Sequence, residues 1–160
     1  MASGGLVPHI PPEINAKLQS MLGRSISSLF VRGKRLCIGF GRMSEATTIA
    51  HGEWEIGTYE CSRRIVQESR VTCASNDPVD TPTELEEALK ACDLGEFSGI
   101  QPLSEFDTRF VFTGGNVDIL CTISDEDELL HIFLPEKEVV TLSVSEGWIL
   151  GRSDRPWRAT

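Results

Sequence analysis

The chain has little of what most active sites are built from. Its five cysteines (Cys37, Cys61, Cys73, Cys92 and Cys121) are odd in number, scattered, and never spaced as Cys-x-x-Cys. That argues against a zinc site and against a disulfide framework. They read as small buried hydrophobes in a reducing compartment. Histidine is scarce: His9 lies in an N-terminal lead-in, His51 lies between strand patterns, and His131 sits in the apolar run Leu129–Phe133. There it reads as a core histidine satisfied by a backbone group rather than as a general base. No nucleophile–base pairing stands out. Gly39-Phe40-Gly41 and Gly114-Gly115 precede no helix pattern and lack the downstream Lys of a phosphate loop. No apolar run nears the roughly 20 residues of a membrane span. Residues 1–15 have neither the basic region nor the apolar run of a secretory leader. The expected location is therefore cytoplasmic, with no cofactor, no metal and no enzymatic activity.

What the chain does have is a recurring pattern. A short amphipathic helix runs into Leu22-Gly23, and eighteen residues after Leu22 comes Phe40, closing an apolar strand; Leu94-Gly95 leads to Phe112 in the same way. Each copy then reaches a Trp, apolar residues and Gly: Trp54–Gly57 and Trp148–Gly151. The pattern predicts two degenerate repeats within one domain of 160 residues: repeat one over 12–76, a linker over 77–81, repeat two over 82–152, and a polar tail over 153–160.

Ile14, Leu18, Met21 and Leu22 fall on one helical face, and so do Leu85, Ala88, Leu89 and Cys92. Thr81, Pro82 and Glu84 form the clearest helix start, as cap, first helical residue and capping-box acid. Alternating segments predict strands near 26–31, 35–41, 46–50, 53–59, 65–66, 70–73, 99–103, 108–112, 117–123, 129–134 and 139–144. Turns are predicted at Arg32-Gly33-Lys34 and Gly114-Gly115-Asn116. The fold class that follows is α+β, mainly antiparallel β: two helix-plus-curled-sheet repeats on a shared core.

Charge is unevenly spread. Residues 1–76 hold nine Lys/Arg and six Asp/Glu, whereas residues 77–147 hold three and seventeen; the whole chain carries −9. Such a balance argues against nucleic acid, which needs a cationic footprint, and for a basic protein partner. The densest cluster is Asp125, Glu126, Asp127 and Glu128, with Glu136 and Glu138 near the next turn as outer members. It is too short for a calcium loop and lacks that loop's central Gly and distal Glu. Carboxylates grouped on a hairpin tip can meet Arg and Lys in charge-assisted pairs. Trp157, among arginines in the tail, has the chemistry of a binding anchor.

The succession of Leu-Gly after a helix, a hairpin, a strand ending in Phe, then Trp54-Glu55-Ile56 through Val71–Asp77, resembles small bacterial proteins of unassigned function. Some of these are immunity proteins for polymorphic toxins. The resemblance spans residues 12–152 and implies a binding protein; it carries over no functional residue. The function expected is a non-enzymatic protein-binding module, an immunity protein that neutralises a basic toxin domain through its acidic surface. The alternatives are an enzyme with a site between the two repeats, and a structural protein that forms a homodimer.

Overall fold

The computed structural model describes residues 10–32, 35–43, 52–59, 61–78, 81–122 and 128–154. In chain order they form α1 (Pro12–Leu18, continued by a 3-10 turn over Gln19–Met21), β1 (Ile26–Arg32), β2 (Arg35–Met43), β3 (Gly52–Thr58), β4 (Ser62–Gln67) and β5 (Arg70–Ala74). These are followed by α2 (Pro82–Ala91), β6 (Phe97–Pro102), β7 (Thr108–Phe112), β8 (Gly115–Leu120), β9 (Glu128–Leu134), a 3-10 turn over Pro135–Lys137, β10 (Glu138–Ser143) and β11 (Gly147–Arg152). The class is α+β and mainly antiparallel, as the alternation predicts.

The strands make two sheets, ordered β1-β2-β3-β9-β10-β11 and β5-β4-β8-β7-β6. Because side chains alternate faces along a strand, one apolar residue per strand lines up across each sheet. Leu29, Ile38, Ile56, Ile132, Val140 and Leu150 are successive cross-strand partners across all six strands of the larger sheet. Ile100, Phe110, Val117, Ile65 and Cys73 do the same across the smaller one. Residues of both rows belong to one buried cluster, so the two sheets pack face to face.

Each half does not fold its own sheet, contrary to the expectation. Strands β1–β3 lie in the larger sheet, but the chain leaves after Thr58 and β4–β5 join the smaller. Strands β6–β8 then begin the smaller sheet, and β9–β11 return to the larger. The first half runs helix, three strands of the larger sheet, then two of the smaller; the second runs helix, three strands of the smaller sheet, then three of the larger. A meander of this size buries too little by itself, and pairing with the other half's strands extends each sheet.

The helices close the open sides. Ile14, Leu18 and Met21 of the first helical segment are buried, whereas Leu22 is 42% exposed, off the face predicted for it. Ser20 accepts a hydrogen bond from Trp54 Nε1 at 3.0 Å, and Lys17 pairs with Glu138 at 3.0 Å. Helix α2 packs against β1 and β5 through Leu85 and Leu89. Its start is as predicted, but the Thr81 hydroxyl makes no capping bond; the Thr81 carbonyl accepts from the Glu84 N–H instead. Gly23 and Gly95, which close the two Leu-Gly steps, have φ of +77° and +71°, the left-handed region open to glycine. Beside Gly23 the main chains meet: the Ser25–Glu96 bridge joins the approach to β1 with the approach to β6.

Candidate protein-contact site

The predicted acidic cluster is only partly described. Asp125, Glu126 and Asp127 fall outside the described residues, as do Trp157, His9, His51, the strand predicted over 46–50 and Gly33-Lys34 of the predicted turn. Glu128 opens β9 and is 7% exposed, because pairing with Ser143 places it within the sheet. Glu136 is exposed, in the turn beyond the other end of β9. A strand rises about 3.3 Å per residue, so Glu128 and Glu136 stand roughly 20 Å or more apart. Glu138 adjoins Glu136, but its carboxylate is taken by Lys17. The structure therefore brings Glu136 and Glu138 together and leaves Glu128 apart, buried rather than presented.

Acidic side chains concentrate instead along α2 and its exit. Glu84, Glu86, Glu87, Asp93 and Glu96 stand there with a single cation, Lys90. Glu84, Glu87, Asp93 and Glu96 are exposed and Glu86 is half-buried. Lys90 pairs with Glu86 at 2.8 Å. The cluster is hard to see in the sequence, because acids interleaved with Leu85, Ala88 and Leu89 read as the solvated face of an ordinary amphipathic helix.

Beside this acidic helix runs a groove of about 430 Å³, lined on one side by Ser25–Leu29 of β1 and its approach, and on the other by Lys90 and Cys92–Gly95. Strand β1 is an edge of its sheet, with β2 as its one strand neighbour among the described residues. The groove is bounded at both ends. The Ser25–Glu96 bridge closes one, and at the other the Val31 N–H donates to Glu86 Oε2 at 3.4 Å. Between these points β1 runs for about five residues, roughly 16 Å, with no second strand beside it among the described residues. A strand edge is a template for pairing with an incoming extended chain.

No protein-family model, no curated protein and no solved structure matches this chain.

Burial pushes the Cys61 thiol up to about 11, against the opposing influence of Arg63, so it stays protonated at neutral pH. The space between the sheets beside Arg63, Cys73, Leu85 and Leu89 amounts to about 10 Å³, room for no more than one water.

His131 differs from its prediction. It projects from the face of the larger sheet that looks away from the shared core, opposite Gly57. A Cβ on Gly57 would collide with the imidazole Nε2. Tyr59 and Phe133 flank the ring, with centroids 5.3 and 4.7 Å away. No described group hydrogen-bonds its buried Nδ1, so no backbone group satisfies it. Burial pushes the imidazole down to about 4, only partly countered by Glu128, and it is neutral at physiological pH.

Proposed function

We propose that this protein is a non-enzymatic protein-binding module that takes an extended, basic segment of a partner in the groove beside β1, the end strand of its sheet. The observation that carries the reading is the groove between that strand and the C-terminal end of α2, lined there by Lys90 and Asp93, on a helix whose earlier turns expose Glu84 and Glu87. Backbone hydrogen bonds to an edge supply affinity with little regard to sequence, while flanking carboxylates select for Lys and Arg. The net charge of −9 adds long-range attraction for a cationic partner. An immunity protein that occludes a basic toxin domain would work in this way; the sequence resemblance implies a binding protein, and the acidic charge balance favours a basic partner.

The test is calorimetric titration with two blocked peptides, one alternating Lys with Val and one alternating Glu with Val. The Lys peptide should bind, with an affinity that falls at least tenfold between 50 and roughly 300 mM salt. The triple variant Glu84→Gln, Glu87→Gln, Glu96→Gln should weaken it further. Equal binding of both peptides, or an affinity indifferent to salt and to the three substitutions, would overturn the reading.

A further inference from the structure

On the outward face of the smaller sheet, Arg64, Asp118 and Arg109 are successive cross-strand partners on β4, β8 and β7. The Asp118 side chain is fully buried, while those of Arg64 and Arg109 remain 41% and 25% exposed. Arg109 alone satisfies the carboxylate, its Nε donating to Oδ1 at 2.6 Å and its Nη2 to Oδ2 at 2.9 Å. Arg64 adds one further bond, from Nε to Oδ2 at 2.9 Å. Two guanidinium charges thus stand over one carboxylate. Arg109 Nη1 and both terminal nitrogens of Arg64 donate to no described group.

One cation balances Asp118, so the second is surplus. The buried carboxylate also holds both guanidinium groups in place, so a second anion would find donors already oriented. The surroundings are partly apolar. Val71, 54% exposed, is followed across the sheet by Val66, Asn116 and Val111 in the neighbouring row, and Leu120 lies on the other side. Half-exposed arginines ringed by aliphatic side chains have the make-up of a protein-contact surface rather than of a free-ion site.

We infer that the Arg64–Asp118–Arg109 row is a docking point for a single carboxylate side chain of a protein ligand, received between the unspent donors of the two arginines. A carboxylate is the anion that neutralises the row: one negative charge completes two cations and one Asp, whereas a phosphate dianion would leave an excess in an already acidic protein. The site lies on a different sheet from the β1 groove and stands or falls independently of it.

The test follows the arginine Nε–Hε signals by NMR while the labelled protein is titrated with the blocked tripeptide Leu-Glu-Leu, with Leu-Gln-Leu, and separately with sodium acetate, phosphate and chloride at matched ionic strength. The Glu peptide should shift the Arg64 and Arg109 signals saturably and bind at least tenfold more tightly than the Gln peptide and than acetate. Arg64→Gln, with the amide spectrum otherwise preserved, should abolish the saturation. Equal shifts with chloride, or with the Gln peptide, or unchanged binding in the Arg64 variant, would overturn the site. Tighter binding of phosphate or of acetate than of the Glu peptide would overturn its assignment to a protein carboxylate.

Discussion

Phe40 and Phe112 stack on each other between the two sheets, their ring centroids 6.1 Å apart and their planes 13° from parallel. Phe97 meets both edge-on, at 5.9 and 5.7 Å. All three are almost wholly buried. Phe40→Ala should cost about 3–5 kcal/mol, since the cavity it leaves is walled by two sheets that cannot both collapse. The Phe40→Ala, Phe112→Ala double mutant should show coupling of about 1 kcal/mol in urea unfolding. Strict additivity would mean that the rings contribute through burial alone.

Those two phenylalanines stood out in the sequence, because each lies in an apolar alternating run eighteen residues after the Leu of a Leu-Gly step, although β2 continues past Phe40 to Met43 while β7 ends at Phe112. The helices and most strands were legible for the same reason: a period of 3.6 or of 2 marks a buried face. The exchange of strands between the sheets was not. Nothing local distinguishes a strand that pairs within its own half from one that crosses, since both alternate in the same way. The Arg64–Asp118–Arg109 row was equally hidden, its members brought together only by the register of β4 on β8 and of β8 on β7. The acidic loop attracted notice because its charges are consecutive, while the acids beside the groove are diluted through a helix.

The β4–β5 hairpin turns at Glu68 and Ser69, whose φ values of +49° and +64° place two ordinary residues in the left-handed region. With neither Gly nor Asn there, its sequence gives no turn signal. Holding non-glycine residues in that region costs about 1 kcal/mol or more each. Glu68→Asn with Ser69→Gly should therefore raise stability by about 1–2 kcal/mol in chemical denaturation, with no change elsewhere in the amide spectrum.

His131 should make stability depend on pH. Its imidazole titrates near 4 in the fold, below the ordinary value of 6.5, so the unfolded chain binds the proton more readily. The neutral ring's contribution is fully present above pH 6.5 and is lost as pH falls toward 4; the span corresponds to about 3 kcal/mol. His131→Phe should flatten the unfolding free energy over that window relative to the unaltered protein. Gly57→Ala should destabilise by about 2 kcal/mol at every pH, because the added methyl meets the ring whatever its charge.

Asp118 should show the converse assignment of partners. Burial raises its pKa, but the hydrogen bonds from Arg109 and then Arg64 outweigh that and hold it below the usual carboxylate range. Its contribution is present above the ordinary carboxylate pKa and is lost as pH falls through the lowered folded value. Asp118→Asn should cost about 2 kcal/mol at neutral pH, less than for a fully enclosed pair because both arginines reach solvent. Arg109→Gln should cost more than Arg64→Gln, since Arg109 supplies both ends of the bidentate pair.

The most direct measurement of the central claim is backbone amide NMR of the labelled protein titrated with the Lys-Val peptide. Saturable shifts, with slowed amide exchange, should concentrate at Ser25–Leu29 and at Lys90 and Cys92–Gly95, the two walls of the groove. Binding that leaves the β1 amides unmoved, or that maps to another face of the molecule, would contradict strand capture at this edge.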